Sequence, residues 1–109
     1  MAKIFVAEDN QDVLSLLTEL LGAHEVMTAS SLKEALVKVS EAEQRGVTVA
    51  FLDGNLGTSD HDGEDVAVAL REKIPSIKII SLSVQRKTWG DVNLEKPVPA
   101  NRILELAVG

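Results

Sequence analysis

The alternation of apolar and polar residues along the chain predicts strands and helices in turn. The segments "KIFVAE" at 3–8, "VTVAFLD" at 47–53 and "SIKIISLS" at 76–83 have the length and apolar content of buried strands. "HEVMTA" at 24–29 is a weaker strand, and a short last strand is predicted just before Lys96. The run that reaches residue 53 is the most hydrophobic part of the chain, yet it ends on a carboxylate, Asp53.

Four other segments place apolar residues at helical spacing, at 10–22, 30–46, 63–75 and 97–109. Asn10 is a suitable N-cap for the first helix. The second is predicted as one helix and opens with Ser31 three residues before Glu34, which is the pattern of a capping box. Pro75 ends the third, because proline cannot continue a helix.

Strands that alternate with helices predict a parallel sheet covered on both faces, which is a three-layer α/β architecture. The length of 109 residues predicts a single domain over 1–109. The polar residues between Asp53 and the third helix are predicted to form a solvated loop, although Asp60, Asp62 and Glu64 alternate faintly as in a calcium site. The sequence contains no Gly-x-Gly-x-x-Gly motif and no P-loop.

Composition narrows the class of protein. Hydrophobic residues make up 45% and charged residues 26%, as in a soluble globular protein. A net charge of −6 argues against direct binding of nucleic acid. No apolar run approaches the roughly 20 residues that span a bilayer, and the N-terminus has no signal-peptide pattern. We therefore expect a cytoplasmic protein without membrane insertion. The absence of cysteine excludes thiolate metal sites.

Three carboxylates are expected to meet at one edge of the sheet. Glu8 and Asp9 follow the first strand and Asp53 ends the third, and the carboxyl ends of neighbouring parallel strands lie together. Two unit charges about 4 Å apart repel by roughly 4 kcal/mol at an effective dielectric of 20. A divalent cation would remove this repulsion, and an all-oxygen site suits Mg²⁺. Taken alone, Glu8 and Asp9 fit a solvated turn with helix-capping acids equally well.

Two further residues favour the site over the turn. Lys96 precedes a proline after the last strand, and Ser83 closes the fourth, so both reach the same edge. Ser81 lies on the same face of that strand but one step deeper. Acids, a hydroxyl and a lysine around a metal form a site suited to phosphoryl transfer.

The segments "AED", "FLDGN", "SLS" and "EKP", in this order, resemble the receiver domain of two-component response regulators over essentially the whole chain. The resemblance implies a doubly wound, flavodoxin-like fold with five parallel strands in the order 2-1-3-4-5. It implies that Asp53 accepts a phosphoryl group from a phosphohistidine on a histidine kinase or phosphotransfer protein. Ser83 would then donate a hydrogen bond to the phosphoryl oxygen, and Lys96 would neutralise its charge.

The same resemblance implies the metal ligands and the residues that set the lifetime of the acyl phosphate. Mg²⁺, for which Mn²⁺ can substitute, would be bound by Glu8, Asp9, Asp53 and the backbone carbonyl of Asn55. Asn55 and Gln85, each two residues beyond Asp53 or Ser83, would orient the hydrolytic water. The Lys96–Pro97 peptide corresponds to one that is cis in the family.

Three departures mark the chain as atypical. Only twelve residues, 84–95, separate Ser83 from Lys96, so the family's fourth helix is expected to be lost or reduced to a turn. Asn93 stands where the family usually has an aromatic residue that rotates on activation. Val84 replaces a smaller residue and is expected to narrow access to the phosphoryl site.

The leading hypothesis is a stand-alone receiver that signals by contact with a downstream protein. It would not be an enzyme beyond Mg²⁺-dependent phosphorylation and dephosphorylation of itself. A phosphorylation-independent pseudo-receiver is the alternative that the missing helix favours. A haloacid-dehalogenase-like phosphatase is a third, although that family has an acid where this chain has Asn55.

Overall fold

The strands form one parallel sheet in the order β2-β1-β3-β4-β5. The computed structural model of the protein describes residues 2–108. Within them the strands are β1 (Lys3–Ala7), β2 (Glu25–Ala29), β3 (Val49–Asp53), β4 (Lys78–Ser83) and β5 (Val92–Glu95). Both the parallel pairing and the strand order agree with the prediction.

Helices cover both faces of the sheet, which confirms the three-layer architecture. They are α1 (Gln11–Leu20), α2 (Leu32–Val37), α3 (Val39–Arg45), α4 (Asp62–Lys73) and α5 (Ala100–Val108). Side chains of α1 and α5 pack in one core with alternate sheet residues such as Val6 and Phe51. Helices α2, α3 and α4 pack in the other core with Phe5 and Leu52. No helix in residues 2–108 is long and apolar enough to cross a membrane.

Strand β3 accounts for the hydrophobic run that ends on an acid. All five of its residues are buried, because the strand lies at the centre of the sheet and packs in both cores. Period-2 alternation directs Phe51 to one face and its neighbours Ala50 and Leu52 to the other. The strand therefore needs apolar residues at every position until it reaches the edge of the sheet at Asp53.

Strand register brings the predicted site residues to this edge. Ala7 pairs with Leu52, so the residue after β1, Glu8, lies level with Asp53. On the other side, Asp53 pairs with Leu82, one residue before Ser83. Ser83 pairs with Glu95, which directly precedes Lys96.

The prediction of one helix over 30–46 is wrong, because the helix is interrupted at Lys38. This residue has ψ of −2°, away from ideal helical geometry. Its amide donates to the carbonyls of both Ala35 and Glu34, as in the tightened last turn of a helix. Its ammonium donates to the carbonyl of Thr28, 2.6 Å away, and this links the break to strand β2.

No helix connects β4 to β5, as the short spacing predicted. Residues 84–91, here called the 84–91 segment, are irregular. The segment ends in fixed contacts: the Asp91 amide donates to the Ile79 carbonyl at 2.8 Å, and the Gly90 amide donates to Asn93 Oδ1 at 2.9 Å. The chain therefore passes from one strand to the next without the second layer of cover that a helix would add.

Candidate functional site

The three acids meet at the edge of the sheet, as their positions after β1 and β3 predicted. One carboxylate oxygen from each of Glu8, Asp9 and Asp53 lies within 4.8 Å of the others. Their exposure differs, however. Glu8 is 1% exposed and Asp53 8%, whereas Asp9 is open to solvent. Asn10 caps α1 by accepting from the amides of Asp12 and Val13, so a residue other than the two acids begins the helix.

Lys96 joins the two buried acids. Its Nζ lies 2.7 Å from Glu8 Oε1 and 3.4 Å from Asp53 Oδ2. The Lys96 amide donates to the Ser83 carbonyl at 2.7 Å, and the peptide bond between Lys96 and Pro97 is cis. The Lys96 side chain therefore extends from the end of β5 to both Glu8 and Asp53.

The buried charges shift one another's ionisation. Burial, reinforced by the neighbouring charge of Glu8, raises the pKa of Asp53 from 3.8 to about 7. Burial would also raise the pKa of Glu8, but side-chain hydrogen bonds with Asp53 and Lys96 lower it. For Lys96, burial acts to lower the pKa, and the hydrogen bond to Glu8 and the charge of Asp53 raise it. In the absence of a metal, Asp53 is thus partly protonated near neutral pH.

This donor set fits a hard divalent cation. Three carboxylates share one lysine, and Asp9 has no cationic partner within 4.0 Å among the described residues. Burial and the neighbouring charge of Glu8 both raise the pKa of Asp53, and a cation bound by oxygen ligands would offset both effects. The structure therefore brings together an acidic cluster of Glu8, Asp9 and Asp53 whose oxygen atoms are the ligand type that Mg²⁺ prefers.

A pocket of about 410 Å³ opens above these acids and is called here the acid pocket. Of the predicted site residues, Asp9, Asp53, Asn55, Ser83, Gln85 and Lys96 line it. Glu8 does not, because it lies beneath the pocket floor. Asp60 and Lys87 also line it, together with the exposed Val84, the residue expected to narrow access to the phosphoryl site.

Ser81 is more deeply buried than Ser83, as its position one step deeper on the same face of β4 predicted. Ser83 lines the acid pocket and is partly exposed. Ser81 is fully buried and its hydroxyl lies 2.8 Å from Asn93 Oδ1. Asn93 Nδ2 also donates to the Gly90 carbonyl at 3.0 Å. The residue at the position of the family's rotating aromatic is thus held by three hydrogen bonds to Ser81 and Gly90.

Most of the loop after Asp53 is exposed, as its composition predicted, but Asp62, the first residue of α4, is 1% exposed. Its Oδ2 accepts from the amides of Leu56, Thr58 and Ser59 at 2.9, 2.8 and 3.0 Å. The Thr58 hydroxyl donates to its other oxygen. Burial alone would raise the pKa of Asp62, but these hydrogen bonds hold it well below the ordinary range. The alternating acids suggested calcium, and instead one of them orders the loop.

Sequence reasoning also missed a close backbone contact between the residue after Asp53 and the start of α4. The Gly63 amide donates to the Gly54 carbonyl at 3.1 Å. A Cβ on Gly63 would lie 2.3 Å from the Asp53 carbonyl oxygen and 2.9 Å from the Trp89 ring. A glycine in a predicted helix start is the only signal that could have indicated this close approach.

The same overall fold occurs in solved receiver domains. A CheY-like response regulator receiver domain protein from Methanospirillum hungatei JF-1 superimposes with a TM-score of 0.82 at 21% identity, over 96% of this chain and 89% of that chain. A response regulator receiver domain protein from Clostridium thermocellum gives a TM-score of 0.80 at 26% identity, over 99% and 91%.

This chain has the fold of a response-regulator receiver domain. A response regulator protein from Burkholderia pseudomallei that carries a phosphorylated aspartic acid, a calcium ion and citrate is also similar, with a TM-score of 0.83 at 20% identity, over 98% of this chain and 66% of that chain. No family model and no curated protein sequence matches the chain. The receiver fold is therefore established by structure, although the sequences are only distantly similar.

Proposed function

We propose that this protein is a receiver that accepts a phosphoryl group on Asp53 from a phosphohistidine of a histidine kinase or phosphotransfer protein. The observation that carries the proposal is the position of Asp53 on the floor of the acid pocket, with the Lys96 ammonium 3.4 Å from its carboxylate. The similar Burkholderia protein carries a phosphorylated aspartic acid, which supports the same chemistry on this fold. The signal would pass to a downstream protein by contact.

The reaction is a displacement at phosphorus. A carboxylate oxygen of Asp53 forms a bond to phosphorus as the bond from phosphorus to the histidine nitrogen breaks, and the nitrogen leaves with the electron pair. The nucleophile must be ionised, so the proton that Asp53 holds in the metal-free state must leave first. Bound Mg²⁺, or Mn²⁺ in its place, would supply the positive charge that screens the carboxylate from the anionic phosphoryl group.

The chain's own residues supply the rest of the site. Glu8, Asp9 and Asp53 would hold the cation together with the backbone carbonyl of Asn55. Lys96 already contacts Asp53 and would follow the negative charge onto the phosphoryl oxygens. The Ser83 hydroxyl, which lines the acid pocket, would donate a hydrogen bond to one of these oxygens.

Asn55 and Gln85 are proposed to set the lifetime of the acyl phosphate by orienting water. Both line the acid pocket and both are exposed. The Asn55 side chain is already engaged, because its Oδ1 accepts from the Gly57 amide at 2.8 Å and its Nδ2 donates to Asp60 at 3.2 Å. The Gln85 side chain makes no hydrogen bond within residues 2–108, so it is the better candidate for a contact with water.

One observation favours a phosphorylation-independent pseudo-receiver as the second candidate. Asn93 is fixed by Ser81 and Gly90, and the 84–91 segment has no helix. The conformational output that the family resemblance implies therefore lacks both its aromatic residue and its helix. The complete set of acids, hydroxyl and lysine in the acid pocket supports the phosphoacceptor.

Intact-mass analysis after incubation with a small phosphodonor and Mg²⁺ tests the proposal. We expect one added phosphoryl group on wild type and on Asp60→Asn, an acid of the same pocket that serves as the matched control. Asp53→Asn and wild type in chelator should gain none. No adduct on wild type would favour the pseudo-receiver, and many turnovers of the phosphodonor without a lasting adduct would favour a phosphatase.

A further inference from the structure

Lys87 is a second cation at the rim of the acid pocket. It belongs to the irregular 84–91 segment and lines the pocket together with Asp9. Its Cε lies 2.7 Å from the point where a Cβ on Gly54 would be, so its side chain passes directly over the residue that follows Asp53. The absence of a side chain at Gly54 is what admits this approach.

The two lysines of the pocket differ in their partners. Lys96 contacts two carboxylates, Glu8 and Asp53. Lys87 forms no ion pair among residues 2–108, and its ammonium donates only to the Asp60 carbonyl at 3.3 Å. This is a long, solvent-exposed hydrogen bond to a neutral acceptor, which an ammonium group gives up at little cost when an anion arrives.

The charges of the phosphorylated site leave a role for a second lysine. Phosphorylation of Asp53 replaces a singly charged carboxylate with a group that carries up to two negative charges. Together with Glu8 and Asp9, this exceeds the charge of one divalent cation and Lys96 by one unit. Lys87 is the cation nearest to the pocket that is not already paired with an acid.

The position of Lys87 also connects the pocket to an exposed part of the chain. Residues 84–86 before it are exposed. After it, Trp89 packs in the core against α4, and the Trp89 carbonyl accepts from Arg71 at 2.8 Å. Movement of Lys87 toward the pocket would therefore displace the exposed part of the segment and alter the surroundings of Trp89, two residues away.

We propose that Lys87 binds the phosphoryl group as a second cation and, by leaving the Asp60 carbonyl to do so, couples phosphorylation to the 84–91 segment. This inference rests on the proposed function of Asp53. It gives the 84–91 segment the signalling role that the family resemblance implies for the fourth helix and a rotating aromatic residue.

Titration with beryllofluoride, an analogue of the phosphoryl group, in the presence of Mg²⁺ tests the inference by calorimetry. We expect Lys87→Gln to bind beryllofluoride about tenfold more weakly than wild type, the fold-change of one charge-assisted hydrogen bond. Lys87→Arg should restore most of the affinity. Arg86→Gln removes a neighbouring exposed charge outside the pocket and should leave binding within about twofold of wild type.

Two further readouts separate a binding role from a general effect of charge. The affinity for Mg²⁺ alone should be nearly the same in wild type and Lys87→Gln, and the Trp89 fluorescence change at saturating beryllofluoride should be smaller in the variant. Equal beryllofluoride affinity of wild type and Lys87→Gln would overturn the inference while leaving Asp53 as the acceptor. An unreduced Trp89 response would overturn the coupling. If wild type itself binds no beryllofluoride, the phosphoacceptor proposal fails and the role of Lys87 fails with it.

Discussion

Glu8 and Lys96, 88 positions apart in the sequence, form an ion pair of 2.7 Å beneath the acid pocket. Glu8 is almost completely buried and Lys96 is about a quarter exposed. A buried carboxylate without a partner is costly, so the lysine is needed for stability as well as for any phosphoryl chemistry.

Removal of the lysine alone should therefore destabilise the fold. We expect Lys96→Met to lower the free energy of unfolding by about 2 kcal/mol, below the range for fully buried pairs because Lys96 retains contact with solvent. The double variant Glu8→Gln with Lys96→Met should recover most of this loss. Urea denaturation measures both, with the exposed Lys33→Met as control. An additive double variant would show that the two groups do not depend on each other.

The raised pKa of Asp53 predicts a pH dependence of stability in chelator. Between pH 3.8 and about 7, the folded protein keeps a proton that the unfolded chain has released. The stability contributed by this group is therefore lost as the pH rises through that window. The lowered pKa of Glu8 affects stability only below pH 4.5, its ordinary pKa, so it does not contribute in the upper part of the pH range given for Asp53.

Asp53→Asn removes this pH dependence. In chelator the variant should unfold at a higher temperature than wild type. Its gain in free energy of unfolding should be larger at pH 8 than at pH 5 and on the order of 1–2 kcal/mol at pH 8. Calorimetric melting at the two pH values measures it, with the exposed Asp65→Asn as control. Mg²⁺ should stabilise wild type more than Asp53→Asn. A difference that does not grow with pH would contradict the crowding of Glu8 and Asp53.

Asp62 is predicted to be the most costly acid to remove from the β3–α4 loop. Asp62→Ala leaves three backbone amides without their acceptor and should lower the free energy of unfolding by about 2–3 kcal/mol. Because its pKa is depressed, the contribution is present above 3.8 and is lost as the pH falls below that value. Urea denaturation at pH 7 and pH 3 checks both points. Asp65→Ala, an exposed acid of the same helix turn, should cost well under 1 kcal/mol.

Gly63 is predicted to control the position of Trp89. Gly63→Ala places a methyl group in contact with the Asp53 backbone and the indole ring, so the α4 start or the ring must shift. We expect a loss of about 1–3 kcal/mol, as for other overpacked positions, and an altered Trp89 emission spectrum in the folded state. Ala69→Gly on the same helix should cost about 1 kcal/mol without changing the emission. Unchanged emission in Gly63→Ala would mean that Trp89 does not depend on this approach.

The sequence by itself determined the order of strands and helices along the chain, although not the break at Lys38 that divides α2 from α3. Apolar periodicity depends on which face of a strand or helix is buried, so it can be recognised within a short stretch of sequence. The continuous apolar run before Asp53 is a central strand, and Asn10 caps α1. The spacing between Ser83 and Lys96 was also sufficient to predict the loss of a helix, because chain length limits what can fit.

Only the tertiary structure decided how the side chains at the sheet edge are shared. In the tertiary structure Glu8 is buried and paired with Lys96, whereas Asp9 is exposed. Asp62 accepts hydrogen bonds from the amides of its loop, and the Lys87 side chain lies over Gly54. These contacts join residues that are distant in the sequence or lie in irregular segments, where no periodic pattern indicates direction. They depend on strand register and on the fit of individual side chains, which composition and spacing do not encode.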